Sequence, residues 1–176
     1  MARGVGPRLT GGRARGRPLV RPVPKGARPT SSRVREALFS LLGNDLSGQR
    51  VLDGFGGSGL LALEAWSRGA SVVCVERNGG AVRAIRANVD ALGAEVQVVC
   101  SDLLHHRGGP YDIALLDPPY ALDPTPFLEH VAALQVSTIV LEGPKGSPSP
   151  QVDGLALDRQ RCYGDTVLRV YQREVG

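Results

Sequence analysis

The chain alternates short apolar runs with longer segments in which apolar residues recur every three or four positions. Short apolar runs are typical of buried strands, and the longer spacing is typical of helices that bury one face. The helical pattern predicts four helices, at 30–43, 57–68, 79–92 and 124–134. The predicted strands are Arg50–Asp53, Ser71–Glu76, Glu95–Cys100, Tyr111–Leu116, Val136–Glu142, Leu155–Tyr163 and Thr166–Arg173. Such repeated β-α-β units predict an α/β fold with a doubly wound, mostly parallel sheet.

The N-terminal segment has a different composition from the rest. Residues 1–29 are rich in Gly, Pro and Arg and predict a basic arm with at most a hairpin, followed by the α/β domain at 30–176. Ten basic residues and no acidic residue precede Glu36, so all seventeen acidic residues lie in the remainder of the chain. A basic end favours a polyanionic partner such as nucleic acid, although a solvated tail kept soluble by its arginines has the same composition.

Composition also excludes several classes of protein. The longest apolar runs are too short to cross a bilayer, and the basic N-terminus lacks the apolar stretch of a signal peptide, so we expect a cytoplasmic protein with no membrane partner. Cys74, Cys100 and Cys162 are odd in number and far apart, which predicts small core residues rather than disulfides or a zinc site. We therefore expect no metal, and a chain of 176 residues that acts as a monomer.

The four residues Asp117, Pro118, Pro119 and Tyr120 close the fourth predicted core strand. Neither proline carries an N–H, so the Asp117 carboxylate and the carbonyl groups are free to accept hydrogen bonds from a ligand. An exocyclic base amine has two N–H donors beside a flat ring that Tyr120 could cover. The tetrapeptide is therefore a candidate site for gripping a planar amine, although a Pro-rich turn is the simpler structural interpretation.

A glycine-rich loop, Gly54–Gly59, follows the first core strand and satisfies the GxGxxG pattern of dinucleotide-binding proteins. Asp53 lies where the strand meets this loop, where a carboxylate would repel a pyrophosphate but attract the ammonium and sulfonium groups of S-adenosylmethionine. Glu76 ends the next strand, where an acid accepts from ribose hydroxyls. Asp102, after the third strand, is either an acceptor for the adenine amine or the N-cap of a short helix.

Motifs in a fixed order along nearly the whole chain resemble a known family, the RsmD-type bacterial methyltransferases, which methylate the N2 amine of a guanine in small-subunit (16S) rRNA. The matching segments are Gly11–Arg13, Gly16–Arg17, Arg28–Thr30, Arg33–Phe39, Asp53–Gly59, Leu63–Ala65, Ser67–Ala70, Asp117–Tyr120 and Tyr163–Thr166. The chain departs from the usual loop by having Gly54 and Gly56 in place of Leu and Ala. Extra glycine adds backbone freedom and removes packing, at about 1 kcal/mol each.

The resemblance implies a Rossmann-like, seven-stranded S-adenosylmethionine-dependent methyltransferase fold whose last strand is antiparallel. It implies the small ribosomal subunit and its 16S rRNA as partner, contacted through the arginines of the arm. Residues 117–120 would be catalytic, with Asp117 and the Pro118 carbonyl accepting from the amine and Tyr120 stacking on the base. The residues implied in cofactor binding are Asp53, Phe55, Gly57, Gly59, Glu76, Asp102, Arg28 and Thr30.

Three other interpretations fit parts of the sequence. A methyltransferase for another nucleic-acid amine, such as adenine N6, would use the same tetrapeptide. A non-catalytic RNA-binding relative would keep the fold without cofactor affinity, and an NAD-dependent oxidoreductase would account for the glycine pattern alone. We further expect His105 and His106 to be a solvated pair, Trp66 to be core packing, and Tyr163 to be a hairpin residue.

Overall fold

The computed structural model describes residues 6–20 and 30–175. Its helices are α1 (Ser32–Leu41), α2 (Leu60–Ser67), α3 (Gly79–Leu92) and α4 (Thr125–Ala133), with a short 3-10 turn at Leu103–His105. Its strands are β1 (Arg50–Asp53), β2 (Ser71–Glu76), β3 (Val96–Cys100), β4 (Tyr111–Leu116), β5 (Val136–Pro144), β6 (Leu155–Tyr163) and β7 (Thr166–Arg173). Helix α2 begins later than predicted because Gly57 and Gly59 take positive φ angles and extend the preceding loop.

The strands form one seven-stranded sheet in the order β3-β2-β1-β4-β5-β7-β6. Strands β1 to β5 are parallel to one another, whereas β7 runs antiparallel to both β5 and β6. The predicted doubly wound, mostly parallel sheet with an antiparallel last strand is confirmed. The strand order reverses between β1 and β4, which is where sheets of this kind bind ligands at their carboxyl edge.

Successive strand residues alternate between two apolar clusters, one on each face of the sheet. Val51 and Leu115 belong to the cluster that contains α2 and α3, while Leu52 and Leu116 belong to the cluster that contains α4. Trp66 is buried in the first cluster, as predicted. Because the parallel strands β1, β2 and β4 are covered on both faces, a ligand can reach them only at their ends.

The described part of the arm is packed onto the α/β body. Leu9, Ala14 and Leu19 are buried in the same cluster as α2, and an isolated antiparallel bridge joins Arg8 to Pro18. The Arg13 amide donates to the Ser67 carbonyl at 2.8 Å. Residues 6–20 therefore share the hydrophobic core of the domain, while the boundary at residues 29 and 30 stays a prediction.

Two predictions about single residues are wrong. Cys100 and Cys162 are exposed, because they lie in the two edge strands of the sheet, and among the three cysteines it is Cys74 that is buried. His106 is buried rather than solvated, since its Nε2 is 2.8 Å from the Tyr111 hydroxyl at the base of β4. Burial lowers the pKa of His106, helped by the nearby His130.

Candidate active site

A cleft of about 770 Å³ opens at the carboxyl edge of the sheet, above the switch point between β1 and β4. Its walls are the glycine loop, the ends of β2, β4 and β5, the start of α1 and the turn between β6 and β7. The predicted site residues that line it are Thr30, Phe55, Gly57, Glu76, Asp102, Asp117, Pro118, Pro119 and Tyr120. The fold thus brings together residues that are up to 90 positions apart in the sequence.

Backbone hydrogen bonds hold the glycine loop against the strand ends. The Gly54 amide donates to the Leu115 carbonyl at 3.0 Å, and the Gly56 amide donates to the Val75 carbonyl at 2.9 Å. Gly59, at φ 80°, is the N-cap of α2, and this left-handed conformation favours glycine. The loop is therefore closely tied to β2 and β4, on which other site residues lie.

Neighbouring side chains fill the space that side chains at Gly54 and Gly56 would otherwise occupy. A Cβ added at Gly54 would lie 2.7 Å from Leu116 Cδ2, and a Cβ at Gly56 would lie 2.8 Å from both Cys74 Sγ and Ile85 Cδ1. These distances are shorter than van der Waals contact. The packing that we expected the two glycines to remove is supplied by the surrounding side chains.

Asp53 lies beneath the glycine loop and is 1% exposed. Its Oδ1 accepts a hydrogen bond from the Phe55 amide at 3.2 Å, whereas Oδ2 has no hydrogen-bond partner within residues 6–20 and 30–175. Burial, with smaller contributions from the charges of Asp117 and Glu76, raises the pKa of Asp53 to about 7 against the lowering effect of the Phe55 and Ala62 amides. A cation bound nearby would stabilise the ionised carboxylate and so lower this pKa.

Glu76 and Asp102 both hold backbone at the rim of the cleft. The two carboxylate oxygens of Glu76 accept from the amides of Gly57 and Asn78, at 2.9 and 2.7 Å. Asp102 is the N-cap of the 3-10 turn, where its Oδ1 accepts from the Leu104 amide at 2.9 Å. Because a carboxylate oxygen has two lone pairs, both acids keep acceptor capacity toward the cleft.

Asp117 follows β4, and its Oδ2 lies 3.3 Å from the Thr30 hydroxyl. Burial raises the pKa of Asp117 to about 6, against the opposing effect of that hydrogen bond. Tyr120 is 39% exposed at the mouth of the cleft, with its hydroxyl 3.4 Å from Thr166 Oγ1. The tetrapeptide thus presents a partly buried carboxylate next to an accessible aromatic ring.

The charge of the cleft is predominantly negative. Among the described residues that line it, the cationic side chain is Arg77, and the anionic ones are Glu76, Asp102, Asp117, Glu142 and Asp165. Such a lining attracts a positively charged ligand and repels a pyrophosphate. Together with the unpaired oxygen of Asp53, it fits S-adenosylmethionine better than a nicotinamide dinucleotide.

Two comparisons with known proteins bear on this site. The family described as conserved hypothetical protein 95 matches residues 7–172. Ribosomal RNA small subunit methyltransferase D of Escherichia coli strain K12 is 34% identical over 182 residues, which cover 95% of this chain and 90% of that protein. This chain belongs to the RsmD methyltransferase family.

Solved structures agree with that membership. The putative methyltransferase yhhF of Escherichia coli superimposes with a TM-score of 0.83 at 34% identity, covering 96% of this chain and 98% of that one. A hypothetical protein of Thermus thermophilus gives a TM-score of 0.80 at 34% identity, covering 93% and 98%. The predicted family, fold and enzyme class, a methyltransferase, are confirmed.

Some predicted site residues have a more limited place in this methyltransferase. Arg28 lies outside the described residues. Thr30 lines the cleft, and its hydroxyl faces the two carboxylates of Asp117 and Glu142. Gly59 turns the chain into α2 without lining the cleft itself.

Sequence reasoning missed several residues that line the cleft. Phe127 of α4 makes an edge-to-face contact with Phe55, with ring centroids 4.9 Å apart, and so supplies an apolar wall. Glu142 near the end of β5 is another omission, although a polar residue at the carboxyl end of a predicted parallel strand is a detectable signal. The described residues contain no cluster of His, Cys, Asp or Glu suited to a metal ion, and none of their helices is long and apolar enough to span a membrane.

Proposed function

We propose that this methyltransferase uses S-adenosylmethionine to methylate the exocyclic N2 amine of a guanine in small-subunit (16S) rRNA. The observation that carries the proposal is the Asp117–Tyr120 tetrapeptide at the mouth of an acidic cleft that residues 54–58 of the glycine loop also line, next to the buried Asp53. The Escherichia coli relative is named as a ribosomal RNA small subunit methyltransferase. A ribosomal substrate would imply action in the cytoplasm.

The residues that would hold the cofactor surround the glycine loop. Asp53 would face the cationic end of the molecule, Glu76 would accept from its ribose hydroxyls, and Asp102 would accept from its adenine amine. Phe55 and the amides of the loop would complete the pocket. S-adenosylmethionine supplies an electrophilic methyl group on a sulfonium centre.

The tetrapeptide would prepare the amine for methylation. The lone pair of the guanine N2 amine is delocalised into the ring, so binding must favour the pyramidal geometry reached in the transition state. The Asp117 carboxylate and the Pro118 carbonyl would accept the two N–H groups and draw the nitrogen out of conjugation. Tyr120 would stack on the base, which has to leave its helix or loop to enter the cleft.

Asp117 would also receive the proton that the amine loses after methylation. With a pKa of about 6, Asp117 is mostly ionised at neutral pH, and this pKa is close enough to the working pH for the carboxylate to accept a proton. In-line orientation of the amine, the methyl carbon and the sulfur would supply much of the rate acceleration.

The rRNA would be held by cationic side chains around the cleft. Arg15 in the arm and Arg33 in the first turn of α1 are exposed and lie outside the sheet. Other arm arginines have a structural role, because Arg17 donates to the Ala91 and Leu92 carbonyls at 3.1 Å and Arg13 lies over the Trp66 ring at 4.5 Å. Phosphate contacts by Arg15 and Arg33 would weaken steeply with salt.

The test is methyl transfer from radiolabelled S-adenosylmethionine to small ribosomal subunits isolated from cells that lack the native enzyme. We expect label in 16S rRNA at a single guanosine, as N2-methylguanosine after nuclease digestion, and no transfer to fully methylated subunits. Label on an adenine or a cytosine would overturn the assignment of the base. Calorimetry with S-adenosylmethionine tests the non-catalytic alternative, which requires no heat of binding.

A further inference from the structure

Two carboxylates meet at one hydroxyl group in the cleft. Thr30 Oγ1 lies 3.3 Å from Asp117 Oδ2 and 3.2 Å from Glu142 Oε2. The sheet register explains the meeting, because Leu116 of β4 is paired with Leu141 of β5 and the next residue of each strand reaches the same edge. The Thr30 hydroxyl has one proton, so it donates to one carboxylate at a time.

Glu142 is 7% exposed and lines the same cleft as the tetrapeptide. Each carboxylate has more acceptor sites than the one that the Thr30 hydroxyl can fill. Asp117 and Glu142 therefore place two sets of acceptors side by side at one end of the cleft. A ligand with two adjacent groups of N–H donors fits this arrangement.

Guanine is such a ligand. Its Watson–Crick edge carries the N1–H donor directly beside the N2 amine, whereas adenine and cytosine carry an acceptor nitrogen beside theirs. Enzymes that take a base out of its helix read it by hydrogen bonds to this edge. An ionised carboxylate opposite N1 would bind guanine and would repel the nitrogen lone pair of adenine or cytosine.

We propose that Glu142 selects guanine by accepting the N1–H hydrogen bond while Asp117 and the Pro118 carbonyl hold the N2 amine. The inference rests on the proposed function and gives it a source of base specificity. Glu142 would act on substrate choice, since the N2 amine that is methylated is held by the other two groups. Adenine would be excluded by the unfavourable contact at N1 as well as by the position of its amine.

The decisive probe is 2-aminopurine, which keeps the N2 amine but has an acceptor at N1. Small subunits are reconstituted from ligated 16S rRNA that carries either guanosine or 2-aminopurine at the mapped target position, and kcat/KM for methyl transfer is measured on both. We expect the native enzyme to prefer guanosine by roughly 100-fold, since a site built for an N–H donor rejects an analogue that lacks it.

The variant Glu142→Gln presents a carboxamide that can donate to an acceptor at N1. We expect it to lose roughly 100-fold on guanosine and to methylate 2-aminopurine at least as well as guanosine, which reverses the preference. 2-Aminopurine lacks both the N1–H and the O6 of guanine, so the native preference alone does not say which group is read. A reversed preference in Glu142→Gln assigns it to N1, because the substitution changes only the group that faces N1. The matched control is Asp117→Asn, which should lower both rates by a similar factor because both substrates carry the N2 amine.

Four outcomes distinguish the two proposals. No transfer to guanosine by the native enzyme would overturn the proposed function and the inference with it. Transfer to guanosine with equal transfer to 2-aminopurine would leave the function standing and overturn the role of Glu142. An unchanged preference in Glu142→Gln would do the same, and a reversed preference supports it. If Glu142→Gln does not fold, the native enzyme is tested on 1-deazaguanosine, which keeps O6 and the N2 amine but has C–H in place of N1–H. A roughly 100-fold preference for guanosine then supports the role of Glu142, and equal transfer overturns it.

Discussion

Two buried carboxylates in this chain have opposite surroundings. Glu64 of α2 is fully buried and is paired with the guanidinium groups of Arg35 and Arg68, while the Thr10 amide and hydroxyl also donate to it. Asp53 of β1 is almost as deeply buried but has the Phe55 amide as its donor and an Oδ2 that no described residue hydrogen-bonds. The paired acid joins three parts of the fold, and the unpaired acid lies at the edge of the sheet where a ligand would bind.

This difference shows how burial alone fails to identify a functional acid. A buried charge is tolerated when partners compensate it, and Glu64 has those partners within the protein. Asp53 has backbone amides near it but no cationic partner among the described residues, so burial raises its pKa to about 7. A bound cation would favour its ionised form. Arg35 connects the two regions, because it contacts Glu64 through Nε and the Thr30 carbonyl through Nη1.

The largest effect is expected from Glu64→Gln, which removes the charge of the paired acid. The variant leaves two buried guanidinium groups without their anion, and loss of one partner in a buried ion pair costs about 3–5 kcal/mol. We expect the free energy of unfolding, measured with urea, to fall by that amount or the protein to lose its fold. The control is Glu36→Gln on the exposed side of α1, which removes the same charge and should change stability by less than about 0.5 kcal/mol.

Asp53→Asn should have the opposite effect on stability. The carboxyl group is ionised in the unfolded chain above its ordinary pKa, and the folded state resists that ionisation up to a pKa of about 7. Native stability therefore falls as pH rises between these two values, and the asparagine variant should be more stable by up to about 4 kcal/mol at pH 8. The difference should disappear below the ordinary pKa of the group, where both side chains are neutral.

The same variant should bind S-adenosylmethionine about 100-fold more weakly, since it loses the charge that faces the cationic end of the cofactor. Thermal unfolding and calorimetry across pH 4–8 measure the two effects on one sample. Greater stability with unchanged affinity would mean that Asp53 is not a cofactor residue.

A third acid, Asp117, differs from Glu64 and Asp53 in that its protonation should control the pH dependence of methyl transfer. Its pKa is raised to about 6 in the free protein, so it is protonated below that pH and cannot accept from the amine. We expect kcat/KM for the ribosomal particle, at saturating cofactor, to fall tenfold per pH unit below a midpoint at about 6 or slightly lower. Asp117→Asn should lower the rate about 100-fold at pH 8 and abolish this acid limb, and a limb that survives in the variant would assign it to another group.

Glu64 and Asp53 also differ in how far the sequence could predict their surroundings. Strands such as Ser71–Glu76 are apolar on both faces and end in acids, so their type and the position of the site follow from local patterns. The docking of the arm does not, because Thr10 and Glu64 are 54 positions apart and their contact depends on the finished fold. An acid within the wholly buried helix Leu60–Ser67 signals that a partner exists, without saying which.

The docking of the arm has a practical consequence for testing its role. Deleting the arm is the direct way to test its contact with RNA, but the deletion would not leave the rest of the protein intact. Leu9 and Leu19 are 2% exposed, so the deletion would remove part of the core as well as the donors to Glu64. Single substitutions at exposed arginines such as Arg15 separate RNA contact from folding.

The smallest predicted effect concerns the glycine loop. A Cβ at Gly56 would lie 2.8 Å from Cys74 Sγ, so Gly56→Ala should lower the free energy of unfolding by about 1–2 kcal/mol through overpacking. Cys74→Ala removes that sulfur and should be destabilising alone, but the double variant should recover about 1 kcal/mol relative to the sum of the single changes. Urea unfolding of all four proteins measures this coupling, and Cys162→Ala on the exposed edge strand β6 is the control that should show none. Additive effects at Gly56 and Cys74 would mean that the buried cysteine does not substitute for the missing methyl group, and the loop would then bear the packing loss that its extra glycines imply.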